Sequence, residues 1–179
     1  MGKTNVNKKT SFIALLGILG AEALALSFLE NLIPAIPGLP PGAKPGFSNI
    51  VTMFTANAFG FSSALAITVL KSGFAFLTRG ATACFMSFAG GLLSTIIMVL
   101  LLKWKRNPFG IMGVSILSAI AHNVGQLTVA CIISGTPALI WGYGPLLLLF
   151  AVVTGAITGA ILRIVMPALE KQKKALGIS

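Results

Sequence analysis

Five polar side chains, Ser115, Ser118, His122, Asn123 and Gln126, interrupt a largely apolar stretch between Phe109 and Ser134. Positions 115, 118, 122 and 126 recur at three- and four-residue spacing, so a helix carries them as one stripe, with Asn123 beside it. An apolar medium gives such groups no partners, and each one left unpaired is costly. Two uses fit. The stripe can line a ligand cavity and offer directional hydrogen bonds, or it can join helices across a bundle. A single histidine is more often a packed residue than a ligand, but four polar groups in register favour the cavity. No carboxylate or cysteine cluster lies near His122 in the sequence, so no metal site, catalytic triad or cofactor is expected.

A second polar set, Asn49, Thr52, Thr55 and Asn57, follows a stretch containing five prolines, Pro34–Gly46. Charges are scarcer. Glu22 and Glu30 fall in one apolar segment and Lys71 in another, while Arg79 ends the latter. A charge at membrane depth costs roughly 2.5–3.5 kcal/mol, so each needs a reason. An ion pair between Lys71 and one glutamate is one; a contact with a ligand is the other. The candidate substrate contacts are Asn49, Thr52, Lys71, Arg79, His122, Asn123 and Gln126. Lys71 and Arg79 would supply positive charge, and the others directional hydrogen bonds.

The elements that must hold these residues are membrane helices. Of 179 residues, 56% are hydrophobic and only 9% charged, with a mean hydropathy of +0.96. A soluble domain needs more charge than this to cover its surface. The apolar stretches show no period-two alternation, which excludes a barrel. The expected fold is all-α, a single polytopic bundle of about six transmembrane helices near 11–32, 47–59, 61–78, 83–102, 109–134 and 144–166. Residues 33–46 form an outer proline-rich loop, a plausible lid. With both termini inside, ten of the thirteen basic residues lie on the cytoplasmic side, as the positive-inside rule requires. The net charge of +10 therefore speaks for topology and anionic lipid rather than nucleic acid. Cys84 and Cys131 form no metal spacing; unpaired thiols are favoured over a disulfide.

Small residues make another pattern. Gly17, Ala21 and Ala25 lay a flat ridge along the first helix, and Gly155 and Gly159 form a GxxxG in the last. Such ridges admit close helix approach, within the chain or to a partner. The chain has no aspartate and three glutamates, so it lacks the carboxylate pairs that hold magnesium and diphosphate in aspartate-rich prenyl transferases. No P-loop is present. The chain is not expected to be an enzyme.

The stretches Gly46–Thr52 (GFSNIVT), Ser87–Ser94 (SFAGGLLS) and Gly113–Leu127 (GVSILSAIAHNVGQL) resemble the Gx transporter family, also called heptaprenyl diphosphate synthase component I. His-Asn-x-Gly-Gln inside an apolar helix is the most specific of these, while Lys71 stands where arginine is the more frequent residue. The family is similar to substrate-binding S components of energy-coupling factor transporters. The resemblance implies a multi-pass protein of the cytoplasmic membrane that captures a small vitamin-like or polar-headed molecule from outside. It also implies docking through Ala21 and Ala25, with Gly17, onto a transmembrane coupling subunit served by ATPase subunits. Two other readings stay open, a membrane component of a quinone- or flavin-linked redox system and an accessory to prenyl diphosphate synthesis.

Overall fold

A computed structural model describes residues 3–33, 46–104 and 109–175, and every regular element among them is an α-helix. Six helices follow in order: α1 (Lys3–Leu32), α2 (Asn49–Phe59), α3 (Phe61–Arg79), α4 (Ala81–Leu102), α5 (Gly110–Ser134) and α6 (Ala138–Ala175). All but α2 are long and apolar enough to cross a membrane. The chain is therefore a multi-pass membrane bundle of six helices, five of spanning length.

Helix α2 has 11 residues and rises about 16 Å, half of the ~30 Å hydrocarbon core. Its six consecutive residues Val51–Ala56 are all buried. A helix covered on every side belongs in the middle of a bundle, and α1, α3, α4 and α6 all pack on it. Phe54 at its centre is 1% exposed.

Glycine makes two of the joints. Gly60 (φ +82°) and Gly80 (φ +88°) each end one helix and begin the next within a single residue. That backbone region is open to glycine and strained for residues with a Cβ. Three helix ends differ from the sequence reading by more than two residues. Helix α1 begins at Lys3 rather than near Ser11, and α6 runs from Ala138 to Ala175 rather than from near Gly144 to 166. Pro145 reads as a helix start, yet it sits two turns inside α6. There its missing amide costs a single rung of the ladder, the one to the Trp141 carbonyl. The proline-rich loop expected at 33–46 lies, from 34 to 45, outside the described residues, as does the basic turn at 105–108.

Lipid is as apolar as leucine, so close packing must hold these helices together. A Cβ on Gly125 of α5 would stand 2.8 Å from Ala89 O and Gly90 Cα of α4. A Cβ on Gly155 of α6 would stand 2.7 Å from Ile116 Cα of α5. Glycine lets α4, α5 and α6 meet backbone to backbone there. Many hydroxyls are made harmless by bonding their own helix, as Thr55, Thr68 and Ser72 do to carbonyls four residues back.

Candidate functional site

The polar residues divide into three groups. The first joins α1, α2 and α3 at the Arg79 end of the bundle. The amide of Ser48 donates to Glu30 Oε1 at 2.9 Å, and Glu30 is only 4% exposed. Ser48 precedes the first turn of α2, where amides have no partner within the helix and the helix dipole favours an anion. Glu30 thus caps α2 from a neighbouring helix. Beside it the buried Lys71 Nζ donates to Asn49 Oδ1 at 2.7 Å. Glu30 acts on Lys71 and Arg79 through space; the close partner of Lys71 is an asparagine of α2 and not either glutamate. Arg79 itself is exposed at the end of α3.

The second group lies deeper. Asn49, Ser115, Ser118 and Thr158 line a cavity of about 20 Å³ between α2, α4, α5 and α6, room for one water-sized group. Ser115 and Thr158 hydroxyls meet at 2.9 Å across α5 and α6. Ser118 Oγ and Thr52 Oγ1 are buried and have no hydrogen-bond partner among the described residues.

The third group faces α4 and α6. His122 Nε2 and Gln126 Nε2 are 3.0 Å apart, a pairing in which the amide donates to the unprotonated ring nitrogen. Gly90 makes room for it: a Cβ there would meet His122 O at 2.7 Å and Gln126 Cγ at 2.8 Å. Asn123 turns the other way and donates to Leu147 O of α6 at 3.0 Å.

Above the histidine pair, α4, α5 and α6 form a cavity of about 310 Å³ that is open to the surface at its outer end, where Thr82, Ile133 and Ser134 are exposed. Thr82, Met86, Gln126, Ser134, Tyr143 and Leu147 are among its lining residues. That volume sits at the lower edge of small-molecule sites, which are mostly apolar with a few placed polar groups. None of the residues lining it carries a charge among those described.

Of the seven residues singled out in the sequence, Gln126 lines this cavity, Asn49 lines the small one, and Lys71 reaches Asn49. Thr52, His122, Asn123 and Arg79 line neither. Thr82, Ser134 and Tyr143 were not singled out. Tyr143 is the only tyrosine in the chain, and Thr82 follows the Arg79-Gly80 turn; both signals were legible. The two cysteines are free.

The predicted docking ridge lies on the open side of α1. Leu15, Leu19, Ala23, Ser27 and Glu30 face the bundle, whereas Gly17, Ala21 and Ala25 are exposed. A Cβ on Gly17 would meet nothing within 4 Å. Glu22 is exposed on the same side, in the middle of the span.

The family model for heptaprenyl diphosphate synthase component I matches residues 19–165. The chain belongs to this family. The match takes in both cavities described above and the glycine contacts between α4, α5 and α6. Among solved structures, the chain is similar to the S component of a bacterial ECF transporter, with a TM-score of 0.64 and 18% identity. The alignment covers 90% of this chain and 98% of that one. At that identity the likeness shows the fold, an S-component-like bundle. No curated protein matches the chain. In this family member, the glycines of the Ala-Gly-Gly and His-Asn-x-Gly-Gln stretches serve helix packing, and the polar residues between them sit where the helices meet.

Proposed function

We propose that the chain is the substrate-capture subunit of an energy-coupling factor-type transporter, residing in the cytoplasmic membrane. The 310 Å³ cavity at the Arg79 end is the substrate site, and the charge asymmetry of the loops puts that end outside. Gln126, Tyr143, Thr82 and Ser134 orient the bound molecule. Glu30, Lys71 and Asn49 hold the start of α2, where the proline-rich loop ends. The S-component fold supports the reading, and so does the exposed face of α1.

Glu22 is the observation that carries the partner. An ionised group in mid-span against lipid costs roughly 2.5–3.5 kcal/mol, and such residues normally face protein or water. Here Glu22 stands exposed beside Ala21 and Ala25. A second membrane protein covering this ridge would approach closely over the small residues and give the carboxylate a donor. The coupling subunit of an ATP-driven complex is the partner proposed. The synthase in the family description is not the function favoured, because three separate glutamates and no aspartate provide no carboxylate pair for magnesium diphosphate.

Affinity purification of the tagged chain from its own membranes tests this. Wild type is expected to bring down ATP hydrolysis, and Ala21→Leu to lose it while melting at the wild-type temperature, since position 21 is exposed. Equal ATP hydrolysis with the variant would refute docking at the ridge.

A further inference from the structure

Helices α5 and α6 are packed closely at one end and part at the other. Toward the Lys103 side, a Cβ on Gly159 would already lie 3.0 Å from Ser115 Cβ, and Gly155 is tighter still. Toward the Arg79 end, a Cβ on Gly144 would meet only Leu127 Cδ2 at 3.9 Å and Ile140 Cγ2 at 4.0 Å. One on Gly142 would meet nothing within 4 Å.

The gap holds a second cavity of about 200 Å³, lined by residues of α5 and α6 alone, Asn123, Val124, Gly144 and Leu148 among them. Val124 is 44% exposed and Leu148 45%, so this cavity opens on the flank of the bundle, the surface that lipid covers. Leu127 and Leu147 line both this cavity and the 310 Å³ one. Two leucine side chains therefore stand between the flank cavity and the proposed substrate site, which has a separate opening at its outer end past Thr82, Ile133 and Ser134. Side-chain rotation is fast compared with helix movement. The backbone there is held by the Asn123 bond to Leu147 O, while Pro145 removes one rung of α6 just beside it.

The lining of the inner cavity narrows the class of molecule. An ionised group seated against these residues would give up part of its water with no opposite charge to meet it, which costs more than seating a neutral polar group. Four neutral hydrogen-bonding side chains, Thr82, Gln126, Ser134 and Tyr143, stand among apolar ones. A molecule matched to that lining partitions into the bilayer before it reaches the protein, at about 0.8 kcal/mol per buried CH₂.

We infer that the substrate of the 310 Å³ cavity is an uncharged, largely apolar molecule that enters from the bilayer between α5 and α6, with Leu127 and Leu147 as the gate. This rests on the reading of that cavity as the substrate site.

The test uses the full chain in lipid nanodiscs and N-phenyl-1-naphthylamine, a neutral apolar fluorophore, as the probe. Binding is followed by stopped-flow energy transfer from Trp141, with Trp104→Phe silencing the other tryptophan and empty nanodiscs subtracted. Wild type is expected to bind saturably, and Ala130→Phe, which fills the inner cavity, to abolish that binding. Gly144→Phe plugs the flank cavity at a position that does not itself line the inner one. It is expected to slow association and dissociation alike by roughly tenfold, with the dissociation constant unchanged. Val124→Phe, at an exposed position, does the same should Gly144→Phe fail to fold. Anilinonaphthalene sulfonate, the same ring system bearing a charge, is expected not to displace the probe.

If Ala130→Phe abolishes binding but both plugs leave the rates unchanged, entry is from water; the gate is overturned and the site stands. Plugs that change affinity without changing association overturn the gate as well. Saturable binding that survives Ala130→Phe removes the site itself. An absence of saturable binding in wild type, or displacement by the sulfonate, overturns the uncharged class.

Discussion

Glu30→Ala removes the acceptor that holds the start of α2. The Ser48 amide, donating over 2.9 Å to a carboxylate that is 4% exposed, would be left without its partner. Leaving a buried donor unsatisfied costs about 1–3 kcal/mol, and losing an anion at a helix N-terminus adds about 0.3–1 kcal/mol. The sum is roughly 1.3–4 kcal/mol. For a chain of this size that corresponds to a melting temperature lower by roughly 3–16 °C. Glu30→Gln keeps an acceptor and loses only the charge, so it should cost less than half as much. Glu30 also offsets the charge of buried Lys71. The double variant Glu30→Ala with Lys71→Met should accordingly be more stable than the sum of the two single losses predicts. Thermal unfolding of the four detergent-purified variants measures all of this on one scale. Additive losses, or a Glu30→Ala variant within about 0.5 kcal/mol of wild type, a typical surface effect, would refute the cap and its link to Lys71.

Gly125→Ala places a methyl group 2.8 Å from α4 backbone and should destabilise by about 1–3 kcal/mol or more, whereas Gly17→Ala meets nothing within 4 Å and should melt as wild type does. Differential scanning fluorimetry of the pair checks this, and equal melting would remove the close α4–α5 approach. Asn123→Ala loses the bond to Leu147 O, at a cost of about 0.5–1.5 kcal/mol for a neutral hydrogen bond. Because that bond holds α6 beside the gate, amide hydrogen exchange should rise around Leu147 and not around Thr158; a uniform rise would contradict a local clamp.

Much of the fold was legible because hydrocarbon imposes strict rules. The ranges 47–59 and 61–78 left Gly60 as a single-residue joint, as it is; between 78 and 83 four residues were left, and the structure narrows that joint to Gly80 alone. The stripe at 115, 118, 122 and 126 does face other helices, since periodicity fixes which residues share a side. Periodicity does not say which helix stands opposite. For Lys71 the sequence left a glutamate or a ligand as the partner, while the fold brings it Asn49 from α2; Asn123 was grouped with its neighbour His122, although one turns to α6 and the other pairs along α5. The start of α6 was misplaced because Pro145 breaks a helix in water more readily than near the end of a packed membrane span. Of the 310 Å³ cavity, the sequence reading found only Gln126. The cavity comes from the parting of helix ends, and Met86, Leu147 and Tyr143 give no local sign of lining the same space.

The central claim is that this cavity holds the substrate. Native mass spectrometry of the chain, released from its own membranes, reads that occupancy directly. The account predicts one small neutral compound per chain in the wild type and none in Ala130→Phe. The same compound retained at the same stoichiometry in Ala130→Phe would contradict it.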